Sequence, residues 1–251
     1  MKLVVAGKGG SGKTSISGTL ARLMARDGHQ VLAIDADSNP NLALTLGIEP
    51  TGTTPLHTLP SNLLNRTVRG IELNATLEDI IKSHSLAGKD GVTLLVMAHP
   101  QHAGTGCLCS MHATVRQVIE VAANESGDVC ILDTEASPEH LSRGTAEHAE
   151  TMLLVVEPYY KSLETGRRMA LLGRDLGLPH VALVANKIRN EREQEIVREF
   201  AERNGIDVAG FIPYDDSFPE SERAQQAPLD FAPDAPGVAA IAELGRSLVT
   251  A

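Results

Sequence analysis

The chain has 251 residues, a formal net charge of −10 and only 3% aromatic residues. That length can bury a sizeable core, the acidic balance argues against a broad phosphate-binding surface, and scarce aromatics argue against a base-stacking platform for single-stranded nucleic acid. No run of about 18 apolar residues is present to span a bilayer, no cationic leader precedes the first apolar run, and the three cysteines, Cys107, Cys109 and Cys130, suit a reducing cytoplasm.

In chain order, Lys2–Ala6 reads as a short strand and Thr14–Arg26 as a helix. Ile16, Leu20, Leu23 and Met24 share one face of that helix, and Gly28 is placed to end it. Gln30–Asp35 is the next strand. Ile48–Ala75, rich in Thr, Pro, Asn and Gly, reads as a long irregular connection or a small excursion. Thr76–Ala87 reads as a helix opened by a capping box of Thr76 and Asp79. Val92–Ala98, Val129–Asp133, Thr151–Glu157 and His180–Asn186 are almost continuously apolar, as strands buried on both faces are. Helical patterns at Met111–Asn124, Lys161–Leu176 and Glu191–Asn204 separate them, and the stretch from Gly237 onward reads as a last helix. The alternation predicts an α/β fold: a doubly wound, mostly parallel sheet with helices on both faces. No linker divides the chain, so one domain over residues 1–251 is expected. Cys130, inside an apolar strand, is expected in the core.

"GKGGSGKT" (Gly7–Thr14) fits the phosphate-binding loop of P-loop NTPases, and it lies where that loop requires, between a buried strand and a helix. Its glycines let backbone N–H groups turn toward phosphate oxygens, and the helix N-terminus adds partial positive charge. The cradle runs through Gly9, Gly10, Ser11, Gly12, Lys13, Thr14 and Ser15. Lys13 is expected on the β- and γ-phosphates and the Thr14 hydroxyl on Mg²⁺. Asp35, Asp37 and Asp133 all follow buried strands, close to those phosphates. "VCILDTE" is an apolar run ending in the aspartate of a Walker B strand, so Asp133 is expected to hold Mg²⁺.

Lys8 is one lysine more than a phosphate cradle needs. "KGGSGKT" resembles the deviant Walker A motif of the ParA/MinD class of ATPases. The resemblance implies that Lys8 reaches across a homodimer to the partner's nucleotide, where the phosphoryl-transfer state spreads negative charge. It also implies that Asp37, in "LAIDADSNPNLALTLG", orients the attacking water while Asp35 supports the magnesium shell. The Asn186 side-chain amide can both donate to and accept from adenine, and Pro213 in "IPYDD" can lie against the base. The run after Asn186 is "NKIR", without the aspartate that selects guanine, which favours ATP over GTP.

Cys107 and Cys109 form a Cys-x-Cys after the third predicted strand, Val92–Ala98. Two thiolates are too few for a structural zinc site. A two-fold dimer would bring four together, a set suited to Zn²⁺ or Ni²⁺. "GTGCLCSMHATVRQV", with Arg116, and "LDTEASPEHLSRGT" resemble the CooC-type ATPases, which help insert nickel into carbon monoxide dehydrogenase. The resemblance implies an ATPase that hydrolyses ATP to ADP and phosphate with Mg²⁺, dimerises, and delivers its metal to a client enzyme; the acidic balance argues against nucleic acid, and a C-terminal stretch whose only cation is Arg246 argues against a membrane. Where that family has "DMEAG", Ser137 and Pro138 follow Ala136 here. His99 and His102 read as solvated loop residues. Two other readings use the same loop: a partitioning or positioning switch acting on DNA or membrane, and an ATPase whose thiols sense redox state or ligate an iron–sulfur cluster.

Overall fold

Leu3 and Val5 point to one side of the first strand and Val4 and Ala6 to the other, and all four are buried. A strand apolar on both faces needs cover on both, which is why the sequence supplies helices between strands. The protein is described by a computed structural model covering residues 1–49, 58–60, 63–67, 70–97, 109–124, 129–135 and 146–250.

Among these residues the strands are β1 (Lys2–Gly7), β2 (Val31–Ala36), β3 (Leu64–Thr67), β4 (Gly70–Leu73), β5 (Leu86–Ala87), β6 (Thr93–Val96), β7 (Val129–Thr134), β8 (Thr151–Val156), β9 (His180–Ile188) and β10 (Asp207–Pro213). The helices are α1 (Lys13–Arg26), α2 (Leu42–Thr45), α3 (Leu77–His84), α4 (Cys109–Asn124), α5 (Tyr160–Asp175), α6 (Glu191–Arg203), α7 (Ser217–Arg223), α8 (Pro228–Phe231) and α9 (Pro236–Thr250). A single 3₁₀ turn spans Lys89–Gly91. None of these helices is long and apolar enough to cross a membrane.

The main sheet runs β10-β9-β8-β1-β7-β2-β6-β5 and is parallel except where β5 meets β6. One face is packed by α3, α4, α5 and α6 through residues such as Ile80, Val115, Leu163 and Val197. The other is packed by α1 and α9 through Ile16, Leu20, Ile241 and Leu244. Cys130 lies in the first of these layers, 5% exposed, and burial pushes its thiol up to about 12, so it is inert packing.

Local signals decide several boundaries. Gly28, at φ 96°, ends α1: its N–H donates to Ala25 O and that of His29 to Met24 O, the paired bonds of a Schellman cap. Thr76 caps α3 by accepting from Asp79 N at 3.1 Å. The expected helix Thr76–Ala87 stops early, at His84. Ser85 turns extended, and Leu86 pairs with Leu94 as an antiparallel edge strand. The pattern carried the helix too far because Leu86 and Ala87 fit either period. The stretch read as an irregular connection or small excursion holds β3 and β4, paired antiparallel over four residues each, too short for a period to show.

Candidate nucleotide site

The carboxyl ends of β1, β2, β7, β8, β9 and β10 converge on one edge of the sheet. Gly7, at φ 149°, takes the chain out of β1, and Gly12, at φ 96°, turns it into α1. A Cβ at Gly12 would sit 2.2 Å from Asn186 Nδ2, so only glycine lets the loop lie on β9. Among the described residues no side chain caps α1, and no acidic residue occupies its first turn, which leaves its N-terminal N–H groups for a ligand. Lys13 is 6% exposed, with Nζ 3.5 Å from Lys8 O. Ser11 Oγ is buried in the loop and has no hydrogen-bond partner among the described residues.

Below the loop, β2 and β7 pair Asp35 with Asp133 in register. The Thr14 hydroxyl donates to Asp133 Oδ2 at 2.6 Å and Ser17 Oγ to Oδ1 at 3.1 Å. Burial, and then the Asp35 carboxylate, push Asp133 up to about 7 against the pull of Thr14, Lys13 and Ser17. Burial also raises Asp35, to about 6, although its oxygens accept from Leu42 N at 2.9 Å and Asp37 N at 3.2 Å. Asp35 thereby shapes the turn that carries Asp37. Two buried carboxylates side by side, with a lysine and a hydroxyl at hand, favour a cation between them.

Above the loop opens a cleft of about 640 Å³, within the size range of nucleotide and cofactor pockets. Gly10, Lys13 and Thr14 line one end, and Pro213, Tyr214 and Phe218 the other. The far wall is built by α7. Asp215 accepts from Ser217 N at 3.0 Å and from Gly237 N at 2.9 Å, so it ties that wall to the start of α9. Asn186 donates to Ser11 O at 2.7 Å and accepts from Lys187 N at 2.9 Å, bracing the loop from β9.

A model of the CobQ/CobB/MinD/ParA nucleotide binding domain matches residues 2–229. The chain belongs to this family. It is 36% identical over 230 residues to an uncharacterized ATP-binding protein of Methanocaldococcus jannaschii, covering 88% of each chain. It is 33% identical over 242 residues to the carbon monoxide dehydrogenase accessory protein CooC of Rhodospirillum rubrum, covering 93% of this chain and 91% of that one. In fold it is similar to the septum site-determining protein MinD of Pyrococcus horikoshii OT3, solved with Mg-ADP: TM-score 0.72, 20% identity, 99% of this chain and 96% of that one.

As a member of the MinD/ParA family of P-loop ATPases, the chain places the residues read from its sequence as follows. Gly9, Gly10, Gly12, Lys13, Thr14, Ser15, Asp37, Asn186 and Pro213 all line the cleft. Ser11, Asp35 and Asp133 lie buried behind it. Lys8 is half-buried and not among the lining residues, its Nζ 3.2 Å from Tyr159 Oη. Cys109 opens α4. Its side chain, and Cys107, His99, His102, Ser137 and Pro138, lie outside what the structure describes. Arg116, on α4, is 3.9 Å from Glu147. Sequence reasoning did not single out Ser17, Glu157, Tyr159 or Lys187, nor the α7 wall. Ser17 was within reach, since it lies one helical turn after Thr14 on the same face.

The residues present fit a magnesium nucleotide. The cradle has uncapped N–H groups, a buried lysine and an unsatisfied serine hydroxyl, and the Thr14–Asp133 pair is an oxygen donor set of the kind Mg²⁺ takes.

Proposed function

We propose that this protein is a homodimerising, Mg²⁺-dependent ATPase that carries a metal ion, nickel or zinc, to a carbon monoxide dehydrogenase-type client in the cytoplasm. The observation that carries the ATPase half is the half-buried Thr14–Asp133 hydrogen bond at the foot of the cleft, with Lys13 beside it. The metal half rests on Cys107 and Cys109 together with the 33% identity to CooC over 93% of the chain. The whole chain acts as one domain.

In this reading the loop from Gly9 to Ser15 wraps the phosphates, and Lys13 neutralises charge on their terminal oxygens. Thr14 and Asp133 would hold Mg²⁺, whose charge would offset that of the phosphates, and Asp35 supports them while aiming Asp37. Asp37 orients a water whose oxygen bonds to the terminal phosphorus as the bond from that phosphorus to its bridging oxygen breaks, releasing ADP and phosphate. Asn186 and Pro213 meet the adenine. Lys8 crosses to the partner's nucleotide, so bound ATP favours the pair. Pairing brings four thiolates together, and loss of the terminal phosphate releases both the partner and the cargo. Nucleotide and metal are coupled because each binds one association state better than the other.

Elemental analysis beside sizing chromatography, with and without ADP and ATP, tests this. The expected result is one metal ion per two chains, dependent on nucleotide. The double variant Cys107→Ser, Cys109→Ser should lose the metal and keep ATP binding. Undiminished metal in that variant overturns the cargo site. Iron with a visible absorption band, in place of nickel or zinc, makes the thiols cluster ligands instead.

A further inference from the structure

Lys8 is half-buried and is not loose. Its Nζ lies 3.2 Å from the Tyr159 hydroxyl and 5.1 Å from the centre of the Tyr159 ring. The hydroxyl accepts from Lys8 and donates to Glu157 Oε1 at 3.2 Å. The other oxygen of Glu157 accepts from Lys187 Nζ, also at 3.2 Å, and Lys187 Nζ donates onward to Gly10 O at 2.5 Å. The circuit therefore leaves the phosphate loop at Lys8 and re-enters it at Gly10. Lys187 takes part from a φ of 60°, a conformation that non-glycine residues seldom adopt. The backbone is bent at the one place that turns this ammonium back over the loop.

We propose that Tyr159, held in place by Glu157, is the resting dock of Lys8 in the single chain, and that pairing with a second ATP-loaded copy has to withdraw Lys8 from it. The inference rests on the reading that Lys8 acts across a dimer. A side chain lying over its own Tyr159 cannot at the same time extend to a neighbour's phosphates, so docking and pairing compete for one ammonium. Tyr159 is a positioning residue in this scheme and touches no reacting atom. A cation over an exposed aromatic ring holds by about two- to fivefold, and every dimer requires two undockings, so removing the dock should tighten pairing by about five- to thirtyfold.

Two measurements on the full-length chain test this, using Tyr159→Leu, which removes ring and hydroxyl, and Tyr159→Phe, which removes the hydroxyl alone. In the nucleotide-free chain, limited acetylation read by mass spectrometry compares Lys8 with exposed Lys82. Lys8 labelling should rise about two- to fivefold in the leucine variant and less in the phenylalanine variant. Unchanged labelling in both overturns the dock. Sedimentation of the ATP-bound chain should then show a lower dimer dissociation constant for Tyr159→Leu, and an equal or weaker dimer overturns the competition. Should the parent chain stay monomeric with ATP, the cross-dimer reading fails, while Lys8 labelling still decides whether Tyr159 holds it.

Discussion

Asp133 lies 1% exposed beside a second buried carboxylate, and among the described residues Lys13 is the cation that offsets its charge. Its folded-state value of about 7 lies above the ordinary 3.8. Between those values the folded chain keeps a proton that the unfolded chain has lost, so this group makes stability fall as pH rises from about 4 to about 7. Asparagine at this position cannot ionise and removes the decline. We expect nucleotide-free Asp133→Asn to match the parent's melting temperature near pH 4 and exceed it by a few degrees at pH 8 (about 2–4 °C per kcal/mol recovered). With Mg²⁺ and ATP the order should reverse, because only the parent gains from binding. A variant that melts below the parent at pH 8 without nucleotide would show that burial is not what raises this carboxylate. Gly12 offers a second test. Its Cβ would meet Asn186 at 2.2 Å, at a positive φ. Gly12→Ala should therefore weaken ATP binding by tenfold or more in calorimetry, about 1.4 kcal/mol, by pushing the loop off β9.

At the scale of elements, α1 presents the phosphate loop and must be held still. Arg22, 1% exposed, donates through Nε to Asp90 at 2.7 Å and through both terminal nitrogens to Asp230 at 2.9 and 2.8 Å. Arg26 and Lys89 complete the set at 3.0 Å each. One guanidinium thus pins α1 to the 3₁₀ turn and to α8. Arg22→Ala should cost about 2–4 kcal/mol, since it leaves the two aspartates without their main partner and opens space in the layer, and thermal unfolding would measure it. Nothing local marks Arg22 as buried. It follows Leu20 and Ala21 in an amphipathic run, and its partners lie 68 and 208 residues away. By contrast the Schellman cap at Gly28 and the Thr76–Asp79 box were legible, because every atom of those signals lies within five residues. The overrun of α3 into Leu86 shows the limit of periodicity: two apolar residues fit a helix face or an edge strand equally, and the neighbour β6 decided it.

At the scale of the whole molecule the proposed function is an association equilibrium. The cleft of one chain is lined by Lys13 and Thr14, with Asp133 behind Thr14, but Lys8 is not among its lining residues. Lys8→Ala should therefore keep ATP binding within a few-fold and lose ATP-dependent dimerisation, read by sedimentation. ATP-driven pairing at parental strength in that variant would remove Lys8 from the interface.

What the amino-acid sequence determined by itself was the alternation of buried strands and helices, the phosphate loop between the first pair, and the aspartates Asp35 and Asp133 at the ends of two strands. These are local properties: period, capping, and the glycines that a tight backbone requires. Only the tertiary structure decided which strand lies beside which. The order that puts β1 between β8 and β7, with β2 next, sets Asp35 against Asp133, brings Asn186 and Lys187 up under the loop, and lays Tyr159 within reach of Lys8. Those contacts join residues more than 90 positions apart, and no short-range preference along the chain encodes a distance of that kind.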